Sequence, residues 1–225
     1  MGIAADTSQS TSLSPGRLLV RAVGLLVALV LAYEVVHFFL RDPLHYIIDP
    51  TEKSFGIYWP RRIPLLLHIA GGTVALFTGP FQLWTGLRRR NLAIHRLTGL
   101  LYIGGVVLAS VVGIYMSFFT SPRAVGIPLF VLASTWLLTI AMAFLAIKRR
   151  RINDHKEWMI RGYVLTFAFV SIRALTDMPI LQALGPARDP TISWICWVVP
   201  LVITEMVFAA KRLMPPAVSG RSKAR

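Results

Sequence analysis

The chain has 225 residues, of which 55% are hydrophobic and 15% charged, and its mean hydropathy is +0.62. Soluble domains carry about 25% charged residues, so the composition excludes an ordinary soluble globule and points to an integral membrane protein in contact with the lipid bilayer. The net charge of +14 does not mark a nucleic-acid-binding protein, because the cations sit between apolar runs and in the tail, where membrane orientation and anionic lipid account for them.

A bilayer core of about 30 Å needs about 20 apolar residues per helix, and six runs meet that need. Residues 1–17 are Ser/Thr-rich and read as a disordered cytoplasmic tail. The first run, about Leu18–Leu40, is too long for a signal-peptide core and lacks a small-residue cleavage site, so it is expected to be a retained helix. The others are about Ile63–Leu87, Leu97–Phe119, Ile127–Ile147, Trp158–Leu175 and Ser193–Ala210. The fifth is the weakest, because Arg161 and Arg173 sit near its ends. Residues 213–225 form a basic cytoplasmic tail. The expected fold is one all-α membrane domain over 18–212, a bundle of six transmembrane helices, with no internal repeat. Cys196 is the one cysteine and lies within the last run, so no internal disulfide and no CxxC motif exist.

The basic residues alternate loop by loop. One side collects Arg17 and Arg21, the group Arg88, Arg89, Arg90 and Arg96, the group Lys148, Arg149, Arg150, Arg151 and Lys156, and the tail cations from Lys211 onward. The other has Arg41, Lys53, Arg61, Arg62, Arg123 and Arg188, partly offset by Asp42, Asp49, Glu52 and Asp189. Both termini and both arginine clusters are therefore expected in the cytoplasm. Tyr58, Trp59, Trp158, Trp194 and Trp197 fall at the boundaries as an aromatic belt. The external loop 41–62 is long enough to fold over the outer face.

An ionisable group at mid-membrane costs about 2.5–3.5 kcal/mol on insertion scales, so each one asks for a reason. The topology sorts them into two layers. The outer layer holds Glu34 and His37, three residues apart on one helix face, with His68, and with Arg173 and Asp177, which are four apart. The inner layer holds His95, His155, Arg161, Glu205 and Gln82. His68 and His95 are each followed four residues later by a glycine, Gly72 and Gly99, which is expected to clear space beside the imidazole. Gly72, Gly79 and Gly86 recur every seven residues, and Gly105, Ala109 and Gly113 every four. Such stripes either bring helices close or make a slot for a flat macrocycle held by histidine.

His95 and His155 are the best haem pair, since a b-type haem takes two neutral imidazoles from facing helices. Arg96, Lys156 and Arg161 stand near enough in sequence to meet its propionates. His68 is a further candidate cofactor ligand. The outer residues Glu34, His37, His68, Arg173 and Asp177 read better as a polar network serving protons or a small solute. The bland alternatives are histidines at the headgroup boundary and a polar network that fixes packing.

The segments His68-Ile-Ala-Gly-Gly, Thr78-Gly-Pro-Phe-Gln82, His95-Arg-Leu-Thr-Gly-Leu-Leu-Tyr102, His155-Lys-Glu-Trp-Met-Ile-Arg-Gly-Tyr163 and Val170-Ser-Ile-Arg173 together resemble a bacterial membrane family, domain of unknown function 2306. The resemblance implies a multi-pass protein of the bacterial inner membrane. More loosely, the chain is similar to six-helix di-haem cytochromes b. That similarity matches His95 and His155 to the ligands on the third and fifth helices, and His68 to the ligand on the second. The fourth run has no histidine, a departure from the second haem site. Three functions follow: a haem protein passing electrons between a quinone or soluble redox partner and an acceptor, a transporter of a small solute or protons, and a non-catalytic scaffold. Gly79-Pro80 and Pro200 are the places where helices would break for a transporter. No nucleophile elbow or HExxH stretch is present, so hydrolysis is not expected.

Overall fold

The computed structural model describes residues 25, 29, 32–33, 35–40, 43–88 and 91–213. No strand occurs among the described residues. Both tails and most of the first run, Glu34 included, lie outside them, and 35–40 are helical.

In chain order come α1 (Pro43–Ile48), α2 (Glu52–Phe55), a 3-10 turn (Gly56–Arg61), α3 (Arg62–Arg88), α4 (Leu92–Ser117), α5 (Arg123–Lys148), α6 (Ile152–Thr166), α7 (Ala168–Thr176), α8 (Pro179–Gln182), a second 3-10 turn (Gly185–Ala187) and α9 (Arg188–Leu213). Five stretches are long and apolar enough to cross a bilayer: Glu52–Gly86, Leu92–Ser117, Arg123–Lys148, Ile152–Thr176 and Gly185–Leu213. They overlap the second to sixth expected runs; the first of the five begins 11 residues earlier than expected and the last 8, and the other ends agree within six residues. The sixth span of the expected count is the first run, most of which is not described. The weakest run is one near-continuous stretch, interrupted at Phe167, whose N–H is shared between the Tyr163 carbonyl at 3.3 Å and the Val164 carbonyl at 3.2 Å.

The radial distribution of side chains is that of a membrane bundle. Leu97, Leu100, Val111, Leu138 and Ile203 point outward, while Gln82, Ser110, Thr139, Thr166 and Arg161 are buried. In water so much exposed apolar surface would drive aggregation; in lipid it is matched, and the backbone groups are satisfied within the helices.

The closest contact is between α3 and α4. A Cβ on Gly71 would lie 2.7 Å from the Gly105 carbonyl oxygen and 2.8 Å from Ala109 N. A Cβ on Gly105 would lie 2.7 Å from the Gly71 carbonyl oxygen. This is backbone against backbone, so the small-residue stripe of α4 serves packing here. The core at mid-depth is built from Tyr102, Trp136, Ile140, Leu165 and Thr166, each under 3% exposed.

The segment 43–62 is folded. Phe55 is buried between Tyr46 and Trp59, with ring centroids 4.7 and 5.9 Å away. Arg61 lies 3.8 Å from the Phe119 ring centroid, which ties the loop to the end of α4. Ser54 donates a hydrogen bond to Asp49 at 2.6 Å. That bond, with a second from Thr51, holds the Asp49 carboxyl below its ordinary value.

Candidate functional site

Gly72, Gly79 and Gly86 do share one face of α3, but what fills the groove is the protein itself. A Cβ on Gly72 would meet the Phe169 ring at 3.3 Å, one on Gly79 would overlap the Tyr163 ring, and one on Gly86 would meet His95 Cε1 at 3.3 Å. The groove takes three side-chain rings from neighbouring helices, so it is not a vacant slot for a macrocycle. The expected pairing of each histidine with the glycine one turn on is also corrected. Gly99 faces the Gln82 amide at 3.1 Å, and it is Gly113 that faces the His68 ring, at 3.1 Å. The glycines make room for imidazoles of the facing helix, because a side chain four residues on lies over its own helix rather than in the interhelical seam.

Gly79-Pro80 does not break α3. Proline at 80 cannot donate to the carbonyl four residues earlier, which is that of Leu76. Tyr163 reaches across from α6 and donates its hydroxyl to that carbonyl at 3.3 Å. The glycine admits the ring and the proline leaves the acceptor, so the two adjacent residues together make a receptor for Tyr163. Pro200 likewise lies inside the continuous helix α9.

Three imidazoles are fixed through Nδ1. His68 Nδ1 is 2.8 Å from the Ala109 carbonyl oxygen, and His155 Nδ1 is 2.9 Å from that of Ala143. A carbonyl only accepts, so in the neutral ring Nδ1 carries the proton and Nε2 keeps its lone pair. His95 Nδ1 is 3.0 Å from Thr85 Oγ1. That hydroxyl already donates to the Phe81 carbonyl at 2.6 Å, so it accepts from His95, and His95 adopts the same tautomer. Of the inner pair that the sequence proposes, His95 on α4 and His155 on α6, each ring is oriented by its own Nδ1 bond. Gln82, which is buried, donates to the His95 carbonyl at 2.6 Å and to Thr98 Oγ1, which fastens the start of α4 to α3.

The other expected site residues are placed differently. The His68 ring packs edge-on against Phe169, centroids 5.0 Å apart, and Phe169 against Trp136 at 5.4 Å. The space beside His68 and Gly72 is about 30 Å³, which suits a water or two and not a macrocycle. His37 stacks on Tyr33 at 5.8 Å; Glu34 lies outside the described residues. Asp177 N–H donates to the Arg173 carbonyl at 3.2 Å, which closes the end of α7. Arg161 pairs with both oxygens of Glu205, the longer bond at 2.9 Å, and with Glu157 at 3.5 Å. Trp158 and Phe208 flank its guanidinium at 4.6 and 4.8 Å, so it is engaged by carboxylates and not open to a propionate. Arg212 also pairs with Glu157. No group of three or more His, Cys, Asp or Glu with metal-binding placement occurs among the described residues.

Sequence reasoning did not single out Thr85, Tyr163, Tyr102 or Trp136 for a role. Tyr102 donates to Thr166 Oγ1 at 3.1 Å, since Thr166 gives its own proton to the Gly162 carbonyl at 2.9 Å. Trp136 Nε1 donates to the same carbonyl at 3.0 Å. The one signal available for any of them was the Gly79-Pro80 pair, which announces a missing donor and a missing side chain at the same place.

No curated protein and no solved structure matches the chain, so the looser likeness to di-haem cytochromes b has no counterpart there. Residues 65–208, which take in the glycine groove, all three Nδ1-bonded histidines and Arg161, match the family model described as predicted membrane protein, domain of unknown function 2306, and the chain belongs to that family.

Proposed function

We propose that this membrane protein binds a b-type haem through Nε2 of His95 and His155, with both termini on the cytoplasmic side of a bacterial inner membrane. The observation that carries this reading is that each imidazole donates Nδ1–H to a fixed acceptor, Thr85 Oγ1 or the Ala143 carbonyl. A histidine ligand to iron needs that arrangement: the outer bond sets the tautomer, stops the ring from rotating and raises the basicity of the ligating nitrogen. Two imidazoles that each keep a lone pair on Nε2 are the donors a b-type haem would take. When bound, haem supplies one-electron exchange, which suits a quinone or another redox partner. The chain's own part is to hold the two rings, exclude water through the surrounding apolar helices, and offer Arg96 and Lys156, beside the two ligands in sequence, to the propionates. Arg161 is left to its carboxylates.

The test is an optical spectrum of detergent-purified protein, oxidised and reduced, after expression with haem supplied. A Soret band is expected in the wild type and is expected to disappear in His95→Ala and in His155→Ala, with monodisperse elution retained. A colourless wild type overturns the reading.

A further inference from the structure

We propose that the turn between α5 and α6 binds the phosphate of an anionic phospholipid headgroup, through Arg149 and Arg150. α5 stops in a two-bond lock: Arg150 N–H donates to the Ile147 carbonyl at 3.0 Å, and Arg151 N–H to the Ala146 carbonyl at 2.9 Å. This motif places its penultimate residue in the left-handed region, where glycine is the ordinary occupant. Here that residue is Arg150, with φ of 58°. Its Cβ works against the turn, so the turn itself gives no reason for an arginine, and a strained residue in a well-bonded turn points to a use for its side chain.

The neighbouring cations have partners within the fold. Lys148 Nζ lies 5.4 Å from the Phe144 ring centroid, Arg151 pairs with Asp154, and Arg212 pairs with Glu157. Arg149 and Arg150 are exposed, and their guanidinium groups make no ion pair or hydrogen bond among the described residues. They follow directly on the membrane-crossing stretch Arg123–Lys148, and so stand at headgroup depth. Leu145, Ile147 and Ile152, on either side of the turn, are exposed apolar side chains that suit the upper part of an acyl chain. Two adjacent guanidinium forks match the oxygens of one phosphodiester better than ammonium groups would. The cations above and the apolar surface below identify the phosphate as that of a lipid and not of a free anion.

The experiment uses the full chain in phosphatidylcholine nanodiscs with graded phosphatidylglycerol, reading lipid affinity and Tm. Arg150→Gly removes the charge while easing the backbone, so it is expected to melt higher than wild type in pure phosphatidylcholine, yet to bind phosphatidylglycerol about fivefold more weakly, the effect of one surface cation. Arg150→Lys, which keeps charge and strain but loses the fork, is expected to fall between. Lys211→Gln, a charge removed elsewhere on the same rim, is expected to change little. The proposal is overturned if Arg150→Gly retains wild-type affinity, if Lys211→Gln loses as much, or if inorganic phosphate raises the wild-type Tm as far as phosphatidylglycerol does.

Discussion

Thr85 has a single hydroxyl proton and gives it to Phe81, and this decides which nitrogen of His95 is basic. Thr85→Val keeps the shape and removes the acceptor. It is expected to leave His95 Nδ1–H unbonded at a cost of about 1–3 kcal/mol, and to shift the ring toward a tautomer mixture that 15N chemical shifts of the haem-free protein report. Thr85→Ser is expected to retain the wild-type tautomer. A valine variant with unchanged His95 shifts would show that Thr85 does not set the ring. Arg150 is the opposite case at this scale: a residue whose backbone conformation costs the fold about 1 kcal/mol, so that Arg150→Gly is expected to gain about that much in thermal unfolding.

Between elements, the contact that orients α6 on α3 is Tyr163 in its Gly79-Pro80 receptor. Gly79→Ala sets a methyl group against the Tyr163 ring and is expected to destabilise by about 1–3 kcal/mol, as overpacking does. Tyr163→Ala alone is expected to destabilise too, because it empties the groove and leaves the Leu76 carbonyl without its donor. In the double variant the methyl has nothing to strike, so the two effects are expected to fall well short of additive. Additive losses in a denaturant series would refute the receptor. A proline inside a helical run read as a breaker when only its own helix was considered. It becomes a docking point once a tyrosine from another helix supplies the missing hydrogen bond.

For the whole molecule, the basic loops predict orientation. A thiol reagent is expected to label Lys53→Cys from outside intact cells and Lys223→Cys only after permeabilisation; Cys196 is buried and does not compete. Labelling of both from outside would reverse the proposed orientation. The ion-pair cluster of buried Arg161 with Glu157, Glu205 and Arg212 ties α6 to α9. Carrying two cations and two carboxylates, it adds no net charge to the bundle. It explains how a helix with an arginine well inside its length is still compatible with the membrane: the charge is met by carboxylates from its own helix and from α9.

Hydropathy by itself determined that the chain is helical and membrane-embedded, and where the middle of each of five spans lies. Those properties are local sums over consecutive residues, and bilayer thickness sets one length scale for all of them. Only the tertiary structure decided what each polar residue does. It gave Gly72, Gly79 and Gly86 to three rings of the protein's own, turned Arg161 toward Glu205, and separated His68, in its water-sized space, from the inner pair. It also fixed the tautomers of His68, His95 and His155. A hydrogen-bond partner 10 to 41 residues away in the chain is chosen by the rotation and register of packed helices, and no spacing within one run encodes that.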